Sequence, residues 1–329
     1  MKQYFFYFFL ISLYALVGCQ GSKDPDVSAI KAEVSIQRFD SELMVCQSKE
    51  EIQKLLQKNE YFVRNFYGAS HSDTAFINHL DYLIHHPETR ALYEQATTKF
   101  GDLSDMKKEL EGAFKHIKYY YPEFKEPKII TTFTALEKDL FISDSLVVIS
   151  LESFIGKNAK YRPQQPNYIL ARYDKPFIVP SIITFFSSKY NRADDNNHSL
   201  LADMIFYGKS FEFTKAMLPN TPDSLIIGYA DSTLQKTNYA QDLVWANFID
   251  NKLLYEESSQ KKGKYLDERP NVPEIGPECP GRIGQWLGWR IVRRYRTENP
   301  TISLQDLMKN SDVATIFEQS KYRGQIDEE

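Results

Sequence analysis

Cysteine is scarce: the chain of 329 residues has three, Cys19, Cys46 and Cys279. That scarcity excludes a disulfide-stapled scaffold. There is no excess of positive charge either. Lys and Arg total 40 against 44 Asp and Glu, a net charge of −4, so the electrostatic footprint of a nucleic-acid binder is missing. The sequence contains no Gly-x-Ser-x-Gly elbow, no Walker loop and no dinucleotide fingerprint, which removes the common hydrolase, nucleotide and NAD signatures. No internal repeat or low-complexity tract is present. Only one long apolar run occurs, Tyr4 to Val17, and it falls short of the roughly 20 residues a membrane helix needs.

That run is what the sequence offers first. Lys2 precedes it, and Leu16-Val17-Gly18-Cys19 ends it. A positive start, an apolar core and a small residue before a thiol match a bacterial lipoprotein signal peptide. The expectation is a signal peptide over residues 1–18, diacylation of the Cys19 thiol, cleavage before it and acylation of the new amine. The alternatives are an ordinary secretory signal or a short anchor helix with a chance cysteine. Three acyl chains hold a protein far more firmly than one. Residues 19–32, small and polar with Pro25, read as the lipidated cysteine and its tether, and residues 33–329 as the globular part. Its place would be the cell envelope, anchored to a membrane and facing the periplasm. Acidic residues just after a lipid cysteine can act as a surface-export address, and Lys23, Asp24 and Asp26 make a sparse version of one, so export to the outer face is the second placement. Cys46 and Cys279 read as two separately buried thiols, with a long-loop disulfide as the alternative.

The composition, 42% hydrophobic and 26% charged, is that of a folded globular protein. The 21 Tyr and 22 Phe supply large burial per side chain. Glu33–Phe39 alternates like a half-buried strand, and 129–134 and 146–151 are β-rich runs. Ser48, with Glu51 three residues on, predicts a capped helix to Asn59. Further helices are predicted over Phe76–Ile84 (stopped near Pro87), from Asp102 or Ser104 to Tyr121, and over Ser181–Tyr190, Ser199–Leu218, Ser224–Gln235, Tyr239–Tyr255, Gly281–Arg296 and Ser303–Lys309. Helices bracketing a small sheet predict an α+β fold in one domain, predominantly helical.

The Gly281–Arg296 stretch is the most unusual. Gly281, Gly284 and Gly288 would share one face, although each interior glycine costs about 1 kcal/mol in helix propensity. Close approach of another backbone or a ligand would account for them. Trp286, Trp289, Arg290, Arg293, Arg294 and Arg296 fill much of the remainder. One reading is internal packing with the arginines paired to acids. The other is a partner surface made by Glu278, Arg282, Trp286, Trp289 and Arg293, since Trp and Arg dominate interface hot spots.

The string Gly276-Pro277-Glu278-Cys279-Pro280-Gly281-Arg282-Ile283-Gly284-Gln285-Trp286-Leu287-Gly288-Trp289-Arg290-Ile291-Val292 resembles the gliding motility lipoprotein GldB family. So do Asp203-Met204-Ile205-Phe206-Tyr207-Gly208-Lys209, Leu218-Pro219, Ile227-Gly228-Tyr229 and the terminal Ile316–Tyr322. The resemblance implies a Bacteroidetes-type envelope lipoprotein that serves gliding motility and the linked secretion apparatus. Its partners would be the membrane, through the lipid, and other envelope or gliding proteins. It implies no defined reaction. GldB-like proteins also look distantly related to predicted zinc peptidases, which carry His-Glu-x-x-His on a helix. The counterpart here, Ala202-Asp203-Met204-Ile205-Phe206, lacks both histidines, so the resemblance implies a zincin-like scaffold without metal ligands. His79, His85 and His86 cluster in sequence but read better as a solvated helix end than as a metal site. Four strings, beginning at Asp73, Asp144, Asp223 and Asp231, match an O-glycosylation pattern and equally match capping chemistry. The expectation is therefore a non-catalytic protein without metal or cofactor. The alternatives are a divergent zincin-like peptidase or hydrolase and a periplasmic peptide- or glycan-binding module.

Overall fold

A computed structural model describes residues 24–325. The signal peptide, Cys19 and the first part of the tether lie outside the described residues. Four short strands form one sheet in the order β1-β2-β4-β3: β1 (Ile36–Arg38), β2 (Lys128–Thr132), β3 (Leu140–Ile142) and β4 (Leu146–Ser150). β1, β2 and β4 run parallel, with Ile36 opposite Ile129 and Ile129 opposite Val147. β3 lies antiparallel on the edge, Leu140 opposite Ile149. Every residue of β4 is buried, as expected for a strand whose unbroken apolar run is covered on both faces.

Alternation along the strands divides the interior into two cores. Ile129, Val147 and Ile149 face the larger core, whereas Ile130, Leu146 and Val148 face the smaller one. The smaller core is closed by α1 (Phe39–Met44), α2 (Lys49–Lys58), α3 (Glu60–Phe62) with the π turn after it, and α4 (Thr74–His85). α5 (Pro87–Phe100) bridges the two, with Leu92 in one and Ala96 and Phe100 in the other. α6 (Ser104–Tyr120) and the C-terminal half of the chain build the larger core. That half comprises α7 (Asn167–Leu170), α8 (Ile178–Ser187), α9 (Leu200–Met217), α10 (Asp223–Ile227), α11 (Asp231–Tyr239), α12 (Gln241–Asp250), α13 (Ser259–Leu266), α14 (Ile283–Glu298), α15 (Leu304–Lys309) and α16 (Val313–Ser320).

Local chemistry explains most boundaries. Ser48 accepts a hydrogen bond from the Glu51 amide at 3.3 Å, and the Glu51 carboxylate accepts from the Gln47 amide at 2.7 Å, so both ends of a capping box are engaged. Ser199 caps α9 and Ser303 caps α15 through their hydroxyls, which accept from the Ala202 and Asp306 amides. Three expectations need correction. Pro87 opens a helix rather than only ending one, because its missing N–H falls at the first helical position, where none is needed. The helix expected over Ser224–Gln235 breaks at Gly228, whose φ of 75° closes α10 before α11 begins. The helix expected from Gly281 starts at Ile283, with Arg282 held at φ 60°.

The most extensive helix contact is α9 on α14. It is a contact of backbones. A Cβ built on Gly208 would lie 2.3 Å from the Gly288 carbonyl oxygen, and one on Gly288 only 1.8 Å from that of Met204. Gly284 instead faces the Tyr265 carbonyl of α13, and Gly281, outside the helix, faces the Arg269 backbone. The three glycines therefore serve three different neighbours. Gly288→Ala and Gly208→Ala should each cost about 3 kcal/mol or more, the upper end for overpacking. Gly112→Ala in α6, where a Cβ meets nothing within 4 Å, should instead stabilise by about 0.5–1 kcal/mol. Urea unfolding of the three variants checks both signs.

Candidate functional site

α9 and α14 place a line of charge beside their close contact. Glu212 of α9 is buried. It accepts from Trp289 Nε1 at 2.9 Å through one carboxylate oxygen and from Arg296 Nη1 at 2.6 Å through the other. Arg293 stacks 4.5 Å over the Trp289 ring and donates to Asp223 Oδ2 at 2.6 Å. Lys215 adds a second cation to Asp223 at 3.3 Å. Burial opposes the Asp223 charge, yet Arg293 and Lys215 together hold its carboxyl below the usual range. At the start of α14, Arg282 donates to the Gly228 carbonyl at 3.2 Å, pairs with Glu268 at 3.1 Å and lies over Tyr229. Burial lowers its pKa from the ordinary arginine value. Tyr229 in turn donates to the Gly281 carbonyl at 2.6 Å, and Trp286 donates to Asn238 at 3.1 Å.

This arrangement corrects the surface reading. Trp286 is 1% exposed, Trp289 3% and Arg282 8%. α9, α13 and α16 all pack against α14, which leaves these side chains inside, hydrogen-bonded and unable to meet a partner. Of the five residues expected on a surface, Glu278 is fully outside and Arg293 only partly.

Glu278 marks the lip of an apolar groove. α11, α12 and the loop 275–280 enclose about 610 Å³. Its walls include Val244, Ile275, Cys279 and Pro280, and its rim carries Tyr239 and Leu243, 84% and 66% exposed. Lys236 and Glu278 face each other across the mouth at 2.8 Å, and the lysine holds the Glu278 carboxyl below its usual range. Burial pushes the Cys279 thiol up to about 12. It is a protonated, apolar wall rather than a nucleophile. Cys46 is buried and likewise raised by burial, and both thiols are free. The groove offers mainly apolar contact, with the Lys236–Glu278 pair at its mouth. The large apolar side chains Tyr239, which ends α11, and Leu243, in the first turn of α12, are the sequence signal for it.

A second polar centre lies where β2 and β4 end. One oxygen of Glu152 accepts from the Thr134 amide at 2.6 Å, the Thr134 hydroxyl at 3.0 Å and the Leu136 amide at 3.4 Å. The other oxygen is buried without a partner. Burial raises this carboxyl to about 7. The loop it grips is strained, with Ala135 at φ 51° and Leu136 at φ 72°. Tyr67 and Thr132 share a hydrogen bond of 2.5 Å nearby.

The histidines diverge. His79 faces Glu137, His85 bonds the Asp81 carbonyl, and His86 caps α5. Among the described residues no group of three or more His, Cys, Asp or Glu is placed to hold a metal ion. Asp203, in the segment aligned with the zincin motif, bonds Lys262 at 2.6 Å. Of the strings matching the glycosylation pattern, Asp73 caps α4, and Ser224 is buried and donates to Asp231.

The described residues thus define an α+β protein in which two helical layers enclose a small mixed sheet. The family model described as gliding motility protein GldB matches residues 20–324, and the chain belongs to that family. No curated protein and no solved structure matches it.

Glu152 sets a pH dependence. Its folded pKa of about 7 exceeds the ordinary 4.5, so folding takes up a proton between those values. The stabilisation this confers is complete below 4.5 and is lost as pH rises through 7. It amounts to roughly 3 kcal/mol. Glu152→Gln should gain on the wild type by that order between pH 5 and pH 8. Urea titrations at the two pH values, compared as a difference between the proteins, measure it.

Proposed function

We propose that this protein is a non-catalytic, lipid-anchored envelope component that serves gliding motility and the linked secretion machinery by docking a partner protein. Membership in the gliding motility family across residues 20–324 carries the reading. Leu16-Val17-Gly18-Cys19 supplies the anchor. Among the described residues no helix is long and apolar enough to cross a membrane, and a lipid on Cys19 meets the need for attachment.

The groove beside Glu278 is the docking place, and its occupant is an apolar segment of a partner envelope protein. Asp24, five residues past the lipid cysteine, lies near the far end of α14: its charge and that of Arg296 both act on Tyr120. The groove lies at the opposite, N-terminal end, beside Pro280. α14 has 16 residues, so the two ends are roughly 24 Å apart at 1.5 Å per residue. The groove and Asp24 lie toward opposite ends of α14, and in this reading the groove is the face open to a protein partner.

Two measurements test this reading. Cys19→Ser should abolish incorporation of labelled palmitate and shift the protein from the membrane to the soluble fraction. A mature N-terminus free of acyl groups in the wild type would sink the anchor. Leu243→Asp should leave unfolding unchanged within about 0.5 kcal/mol, as for an exposed position, while reducing cell spreading and in-cell crosslinking to neighbours. Unimpaired spreading with the fold intact would remove the groove from the function.

A further inference from the structure

Lys209 is the one buried lysine of α9, 2% exposed. Two of its three ammonium protons go to backbone carbonyls, Arg192 at 2.6 Å and Asn310 at 2.8 Å. Among the described residues no carboxylate lies within ion-pair distance of it, whereas most other buried charges of the chain have a formal counter-charge. A buried ammonium without a counter-ion is costly. Burial lowers its pKa to about 8, which leaves it mostly protonated at neutral pH.

The ammonium does not end in packed apolar side chains. Lys209, Arg192 and Asn310 all line one cavity of about 220 Å³ between α9, the loop before it and the turn after α15. Both carbonyl partners belong to residues of the cavity wall, and the two bonds leave one ammonium proton unassigned. The rest of the wall mixes apolar side chains such as Ile205, Phe206 and Val313 with a few donors. Arg192 is exposed at the mouth, and among the described residues its guanidinium has no hydrogen bond or ion pair. Asn197 and Ser311 add an amide and a hydroxyl. The two acids in the wall are already engaged: Asp203 bonds Lys262 at 2.6 Å, and Asp194 accepts from its own loop at Asn196.

We infer that this cavity is an oxyanion-binding site, in which Lys209 and Arg192 receive the carboxylate or phosphate of a small ligand. The anion completes the hydrogen bonding of the ammonium and supplies the missing counter-charge from inside a low-dielectric wall, where charge-assisted bonds are strongest. The volume admits an oxyanion with a short organic group and excludes a folded peptide. The site is separate from the groove beside Glu278 and does not depend on the docking proposed there.

Titration calorimetry on the full chain in detergent tests this, with sodium acetate in one arm and inorganic phosphate in the other, each against chloride at matched ionic strength. At least one oxyanion should bind saturably with a Kd in the millimolar range or tighter. Lys209→Met should weaken it by about tenfold or more and Arg192→Ala by about threefold or more, as for charge-assisted bonds. Binding of acetate alone assigns the site to carboxylates, of phosphate alone to phosphorylated ligands, and of both to either headgroup. Arg192 is exposed, so its variant folds and decides the matter even if Lys209→Met does not. Absence of saturable heat in both arms, or undiminished affinity in Arg192→Ala, overturns the assignment.

Discussion

The contact between Gly208 and Gly288 governs the larger half of the molecule. Two helices whose backbones touch bring their flanking side chains into one shared layer, and any Cβ at the crossing is forbidden by distances near 2 Å. Each glycine lowers helix propensity by about 1 kcal/mol, and the close packing of α9 on α14 offsets that loss. α9 has almost no solvent face: Met204, Ile205, Phe211, Phe213 and Met217 are buried on different sides of it. A helix buried on nearly every side belongs in the centre of a domain, and here its centre is fixed by the glycine pair. The ion pairs follow from the same approach. Glu212 reaches both Trp289 and Arg296 because the axes are close.

Each buried charge finds a different kind of partner, and the differences separate structure from function. Glu212 and Asp223 face arginines, a lysine and an indole, so their charge is answered within the fold. Glu152 is answered on one oxygen by backbone amides and the Thr134 hydroxyl, and burial outweighs them and raises its pKa. Lys209 is answered only by carbonyl dipoles, beside open space. A fully paired group is best explained by folding alone. The group whose pairing is incomplete and which borders a cavity is the one with chemistry left for a ligand.

Periodicity made the sheet and the long helices legible. The runs at 129–134 and 146–151 became β2 and β4, and the Ser48 capping box stood as the residues implied. Proline and glycine misled where their positional meaning was inverted. Pro87 starts α5, and Gly228 splits one expected helix into two. α13, α16 and the three-residue strand β3 escaped notice because they are short or polar and are held by tertiary contacts. The seam was half legible. Gly284 and Gly288 announced close packing, while Trp and Arg at their sides suggested a surface. The resolving signal lay in α9, where Phe211-Glu212-Phe213-Thr214 sets a carboxylate in an apolar helix. A lone acid at such a position needs a cationic or donor partner, and the Arg/Trp face of α14 is the nearest match of kind.

The family resemblance rests mainly on residues that this structure places inside. Gly281, Arg282, Gly284, Trp286, Gly288 and Trp289 make backbone contacts or buried hydrogen bonds. Asp203 and Gly208–Lys209 lie on the helix they pack against or on the cavity wall beside it. The string that identifies the chain therefore encodes the crossing of α9 and α14 more than any contact with a partner. Surfaces are free of that constraint. Tyr239 and Leu243, exposed on α11 and α12, lie outside the crossing and can change without disturbing it.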